Sequence, residues 1–131
     1  MSQANVELLC QGFDVWNRHD LDTALAGSHP DVEITPIRGP AATTYRGHEG
    51  MRRFWEDIIG TFPDFSTEVV EARDLGDFVL GRVRISGQGT GSEVSSEQTV
   101  WYASEWRDGK LLWYCSYDSE AETLEAVGLR E

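Results

Sequence analysis

Two carboxyl groups toward the C-terminal end, Asp118 and Glu105, are the residues best suited to proton transfer, because a hairpin count puts both on one strand face among aromatic rings. The count starts from Asp108-Gly109, a dipeptide suited to a type I′ turn, which needs positive φ at both positions. Pairing Arg107 with Lys110 and counting outward places Trp106, Leu111, Trp113, Tyr102, Cys115, Val100 and Tyr117 on one face, with Ser104 as its polar member. The other face carries Thr99, Trp101, Ala103, Glu105, Leu112, Tyr114, Ser116 and Asp118. Rings, small side chains and two carboxyls together suit a pocket wall. They equally suit a face left to water, with the fully aromatic face as the core.

On the pocket reading, Asp118 and Glu105 are the catalytic candidates. Trp101, Tyr114, Leu112 and Ser116 are the binding candidates, joined by Trp16 and Trp55 from helices. As an acid/base, Asp118 would have to be held neutral by burial against Trp101 and Tyr114. Standing just before Ser119, it would instead serve the start of a helix as an anion. Both roles stay open. Glu105, two residues from the turn, reads as a solvated rim group. His48, at the entry of a helix, reads as a cap, and His19 and His29 as turn residues. The run Gly87-Gln88-Gly89-Thr90-Gly91-Ser92 has no following lysine and opens no helix, so it reads as a hairpin loop rather than a phosphate cradle. Cys10 and Cys115 lack metal-type spacing, and no metal or cofactor is expected.

These residues need elements to hold them. Val6, Leu9, Cys10, Phe13 and Trp16 recur at steps of three and four, predicting an amphipathic helix over residues 4–18. Asp20 is placed to cap a short second helix carrying Leu21 and Leu25, ended by Gly27. A short strand over 32–37 precedes a loop without periodicity. Met51, Phe54, Trp55, Ile58 and Phe62 then mark a long helix stopped by Pro63. Strands follow near 66–74, 78–87, 95–107 and 110–117, as an antiparallel meander. Ser119 and Glu122 form a capping box for a last helix, with Leu124 and Val127 as its buried side and Gly128 at its stop. Helices first and a meander later predict an α+β architecture, a curved antiparallel sheet wrapped on one side by helices.

The 131 residues suffice for one domain, spanning 1–131, and the aromatic content of 11% supplies a core. The 23 Asp and Glu against 11 Lys and Arg give a net charge of −12, which repels phosphate backbones and anionic membrane surfaces. No nucleic acid or membrane partner is expected. With two cysteines and no long apolar run, the expected location is the reducing cytoplasm. Both faces of the last hairpin are apolar enough to need cover. One set of helices covers one side, so a homodimer is expected through Tyr102, Trp106, Trp113 and Tyr117.

Several stretches in their order resemble the nuclear transport factor 2-like superfamily and, within it, the SnoaL-like, polyketide cyclase-like branch. They are Trp16-Asn17-Arg18-His19-Asp20-Leu21-Asp22, His29-Pro30-Asp31-Val32-Glu33, Tyr45-Arg46-Gly47-His48-Glu49-Gly50, Arg107-Asp108-Gly109-Lys110 and Glu125-Ala126-Val127-Gly128-Leu129. The resemblance covers nearly the whole chain. It implies a cystatin-like cone of helices over a curved sheet, often dimeric through the outer sheet face, with the mixed face as cavity wall. Where similar ketosteroid isomerases carry an oxyanion-hole tyrosine and a base aspartate, this chain has Gly12 and Thr35. Arg82 and Arg84 lack the flanking aspartates of limonene-epoxide-hydrolase-like enzymes. Asp118 matches the aspartate that the polyketide cyclases place at the end of the last strand, but no histidine follows His48. Two function classes follow. One is a cofactor-independent isomerase, cyclase or dehydratase acting on a small apolar carbonyl compound. The other is a non-catalytic ligand-binding or dimerisation module on the same fold.

Overall fold

A computed structural model describes residues 3–36, 43–61, 66–88 and 95–130. The expected stop at Pro63, the residues Ile37 and Phe62, and most of the loop expected at 87–92 lie outside them.

The first apolar stripe forms α1 (Gln3–Asn17), and Asp20 caps α2 (Leu21–Ala26). The Asp20 carboxylate accepts from the Thr23 N–H at 3.2 Å and from its hydroxyl at 2.6 Å, and these bonds hold its pKa below the ordinary carboxylate value. The next strand, β1 (Ser28–Thr35), starts four residues before the expected 32, because Ser28 already pairs with Leu111. A two-residue β2 (Tyr45–Arg46) leads into α3 (Gly47–Thr61). Then come β3 (Ser66–Leu75), β4 (Phe78–Gln88), β5 (Ser95–Arg107), β6 (Lys110–Tyr117) and α4 (Glu120–Arg130).

The six strands form one sheet in the order β2-β1-β6-β5-β4-β3. The meander is antiparallel as expected, whereas β1 lies parallel to β6. The capping box is present: Ser119 Oγ accepts from the Glu122 N–H at 3.2 Å, and the Glu122 carboxylate accepts from the Asp118 N–H. α4 nevertheless runs through Gly128 to Arg130. Its buried residues are Thr123 and Val127, while Leu124 is exposed.

Asp108 and Gly109 take positive φ, 53° and 78°, as the two-residue turn requires. Beyond the turn the expected register fails. Trp106 pairs with Leu111, but the next pairs are Glu105 with Trp113, Ser104 with Tyr114, Ala103 with Cys115, Tyr102 with Ser116 and Trp101 with Tyr117. One extra residue, Leu112, is accommodated as a β-bulge, and a one-residue slip turns every following side chain of β6 to the opposite face. Each expected face is therefore correct on β5 and at Leu111, and inverted on β6 from Trp113 onward.

The face against α1 carries Val79, Val83, Tyr102 and Trp106, packed on Leu9 and Phe13 of the helix. Gly81 makes this approach possible, since a Cβ there would meet Leu9 Cδ2 at 3.2 Å. A second cluster joins Val32 and Ile34 of β1 to Leu25, Met51 and Phe54. The outer face holds Phe78, Ala103, Trp113 and Cys115 under Val127 of α4.

Candidate functional site

Between α1, α3 and the inner sheet face lies a cavity of about 70 Å³, continuous with solvent. The 3.6-residue stripe of α1 supplies Leu9, Phe13 and Trp16 to its wall, with Gly12 between them. Met51 and Phe54 come from α3, Ile34 from β1, and Tyr102, Trp106, Leu111 and Tyr114 from the bulged hairpin. Among the described residues that line it, none is charged.

Its polar centre is a pair of phenols. The rings of Tyr102 and Tyr114 stack at 4.4 Å between centroids, 24° apart in plane. Burial pushes Tyr102 up to about 12 and Tyr114 well above the ordinary tyrosine value. Two other polar groups in the wall are occupied. The Trp106 indole N–H donates to Ser104 Oγ at 3.0 Å, and the Thr67 hydroxyl donates to Asn17 Oδ1 at 3.1 Å. Asn17 also donates to the Thr67 carbonyl and accepts from the Thr67 N–H, both at 2.8 Å, so the end of α1 is tied to the edge strand beside the cavity.

These phenols make stability fall in alkali. Unfolded tyrosines lose their protons near 10, whereas burial holds Tyr102 protonated to about 12 and raises Tyr114 well above its ordinary value. Between those values the unfolded chain binds fewer protons, so rising pH favours unfolding. Tyr45 adds to the effect: partial burial and its 2.6 Å bond to Asp57 also raise it to about 12. The urea midpoint should hold up to pH 10 and drop steadily toward 12, and the drop should shrink in Tyr102→Phe. A midpoint independent of pH across that span would contradict the burial of these hydroxyls.

The structure divides the residues singled out from sequence. Trp16 and Tyr114 line the cavity. Trp55 is buried behind the wall, its ring 4.4 Å from that of Trp16. Ser116 is buried and pairs with Tyr102 without lining the cavity, and Leu112 is the half-buried bulge residue. Trp101 lies on the outer face under the Arg82 guanidinium, 5.6 Å from its ring centroid. Glu105 is on that face too, accepting from Arg130 at 2.7 Å, so it holds α4 rather than facing the cavity. Asp118 is exposed at the start of α4.

The surface expected to take a second copy is likewise split. Tyr102 and Trp106 are inside against α1, while Trp113 is buried on the outer face with Arg130 stacked 4.2 Å above its ring. Only Tyr117, half-buried, and Trp113 lie on the outer side. Tyr102 and Phe13 were among the cavity residues missed. Phe13 was legible as part of the helix stripe, but Tyr102 was hidden by the register. His48 bonds the Ser28 carbonyl at 2.8 Å, tying α3 to β1. Among the described residues no three His, Cys, Asp or Glu side chains converge to hold a metal ion.

The sequence profile of the SnoaL-like domain matches residues 11–114, most of the chain. The chain belongs to the SnoaL-like family. No curated protein matches it significantly. Solved structures share the fold. A cystatin-fold protein from Novosphingobium aromaticivorans is 24% identical, with a TM-score of 0.75 over 89% of this chain and 98% of that one. An NTF2-like protein from Burkholderia pseudomallei is 17% identical, with a TM-score of 0.78 over 93% and 95%. IdmH of Streptomyces antibioticus, described as a proposed polyketide cyclase, is 22% identical, with a TM-score of 0.72 over 94% and 97%. The SnoaL-like α+β fold with its curved six-stranded sheet is thus shared across these proteins. No helix among the described residues is long and apolar enough to cross a membrane.

Proposed function

We propose that this SnoaL-like chain binds a small, uncharged, apolar molecule in the cavity between α1 and the sheet. The observation that carries the reading is the wall itself: among the described residues fourteen line it and none is charged, the mainly apolar lining that ligand sites have. Desolvating an ion there would have no compensating partner among the lining residues. A bicyclic hydrocarbon such as 2-ethylnaphthalene is expected to bind with a Kd on the order of 10 µM, as its atom count allows. Titration calorimetry measures this directly, and an absence of heat and of chemical-shift change at the cavity methyls would end the proposal.

Cofactor-independent isomerisation, cyclisation or dehydration of a carbonyl compound is the second reading. The buried phenols favour it, since a hydroxyl fixed in a dry site stabilises charge growing on a substrate oxygen. The geometry gives Asp118 and Glu105 no place in that wall. Asp118→Asn and Glu105→Gln should therefore leave probe affinity within about twofold of wild type, a change of ~0.4 kcal/mol. A tenfold loss in either would put the carboxyl back beside the ligand.

A further inference from the structure

The Tyr102 and Tyr114 hydroxyls carry two protons between them. Both side chains line the cavity with their rings stacked, and a hydrogen bond between the two hydroxyls would use only one of those protons. Among the described residues no other acceptor is bonded to either hydroxyl, and burial keeps both phenols protonated at neutral pH. One O–H donor is thus left over beside empty apolar space, whichever tyrosine donates to the other. A buried donor without a partner is costly, and an incoming acceptor recovers that cost. Two nearby donors are committed elsewhere, Trp106 to Ser104 and Thr67 to Asn17. An anionic acceptor would meet no cation among the described residues of the wall and a protein of net charge −12.

We infer that the phenol pair selects, within the apolar ligands proposed above, neutral compounds carrying a carbonyl-type oxygen, a ketone, quinone or lactone, over the matching hydrocarbon or carboxylate. This rests on the cavity being a binding site, and a matched set of probes separates the two ideas. By calorimetry, 2-acetylnaphthalene should bind wild type about tenfold more tightly than 2-ethylnaphthalene, the worth of one hydrogen bond not otherwise made. 2-Naphthoate should bind more weakly than the ketone.

The double variant Tyr102→Phe/Tyr114→Phe should lose the ketone advantage, binding the ketone and the hydrocarbon with equal affinity. Each single variant leaves one hydroxyl with an uncommitted proton, and at least one of the two should keep the advantage. The infrared carbonyl stretch of isotopically labelled ketone bound to wild type should fall below its value in a hydrocarbon solvent, a readout that needs no variant to fold. If both neutral probes bind equally and the stretch is unshifted, the inference is overturned while the cavity remains a binding site. If neither binds, the binding proposal falls. A ketone advantage that survives in the double variant would assign the bond to another donor, Trp16 first, and overturn the role given to the tyrosines.

Discussion

Trp113→Ala is expected to destabilise the protein by about 3–5 kcal/mol, the range for emptying a large aromatic site in a core that cannot collapse onto the space. Trp113 is only 8% exposed, meets Phe78 edge-on at 6.3 Å and lies under Arg130. Its loss removes the platform on which α4 rests, and the effect is a large share of the stability of a typical small domain. Urea unfolding followed by circular dichroism gives the magnitude, and amide exchange should show α4 losing protection first. Arg130→Ala is the control. It removes a surface ion pair and one cation–π contact, and should cost about 1 kcal/mol or less. A Trp113→Ala protein within that same limit would mean that α4 is held by something other than this ring.

Gly12→Phe is expected to abolish probe binding, by at least about 100-fold, without lowering stability. Gly12 lines the cavity, and a Cβ built on it meets nothing within 4 Å. The added ring would enter the empty space beside Phe13 and Trp16. Glycine within a helix is also less favourable than most residues, by up to about 1 kcal/mol relative to Ala, so the substitution gains in propensity. Calorimetry with 2-ethylnaphthalene and a thermal melt measure both halves. Unchanged affinity together with an unchanged or higher melting temperature would place the ligand outside this cavity.

Much of this arrangement was legible because local chemistry admitted one answer. Asp20, Ser119 with Glu122, and Asp108-Gly109 each satisfy a defined set of backbone groups, and the structure uses all of them as their types require. The helix stripes also gave Leu9, Phe13, Met51 and Phe54 their buried sides. The faces of β6 were not legible, for a physical reason. Leu111-Leu112-Trp113-Tyr114-Cys115 is apolar at every position, so a period of two finds no polar residue to mark which side is out. A regular hairpin and a bulged one then bury equal amounts of apolar surface. The choice falls to contacts far away in sequence, Arg130 and Val127 on Trp113 and Phe13 on Tyr114. That single residue moved Tyr114 onto the side of Tyr102. It also left Trp101 and Glu105 outside, with the arginines.

The parallel pairing of β1 with β6 bears on the order in which the chain can fold. Ile34 sits beside Tyr114, eighty residues later, and the two line the same cavity. Local steps, the helices and the β3–β4–β5 meander, close small loops and can form early. The β1–β6 seam must close a loop that spans most of the chain, and such non-local pairings are the slow ones. During synthesis Ile34 and the stripes of α1 and α3 emerge well before the strand that completes their enclosure. Their apolar faces wait uncovered until the last hairpin has left the ribosome. An apolar ligand would accordingly act on folding at its final step, binding only once the sheet has closed and then holding it shut.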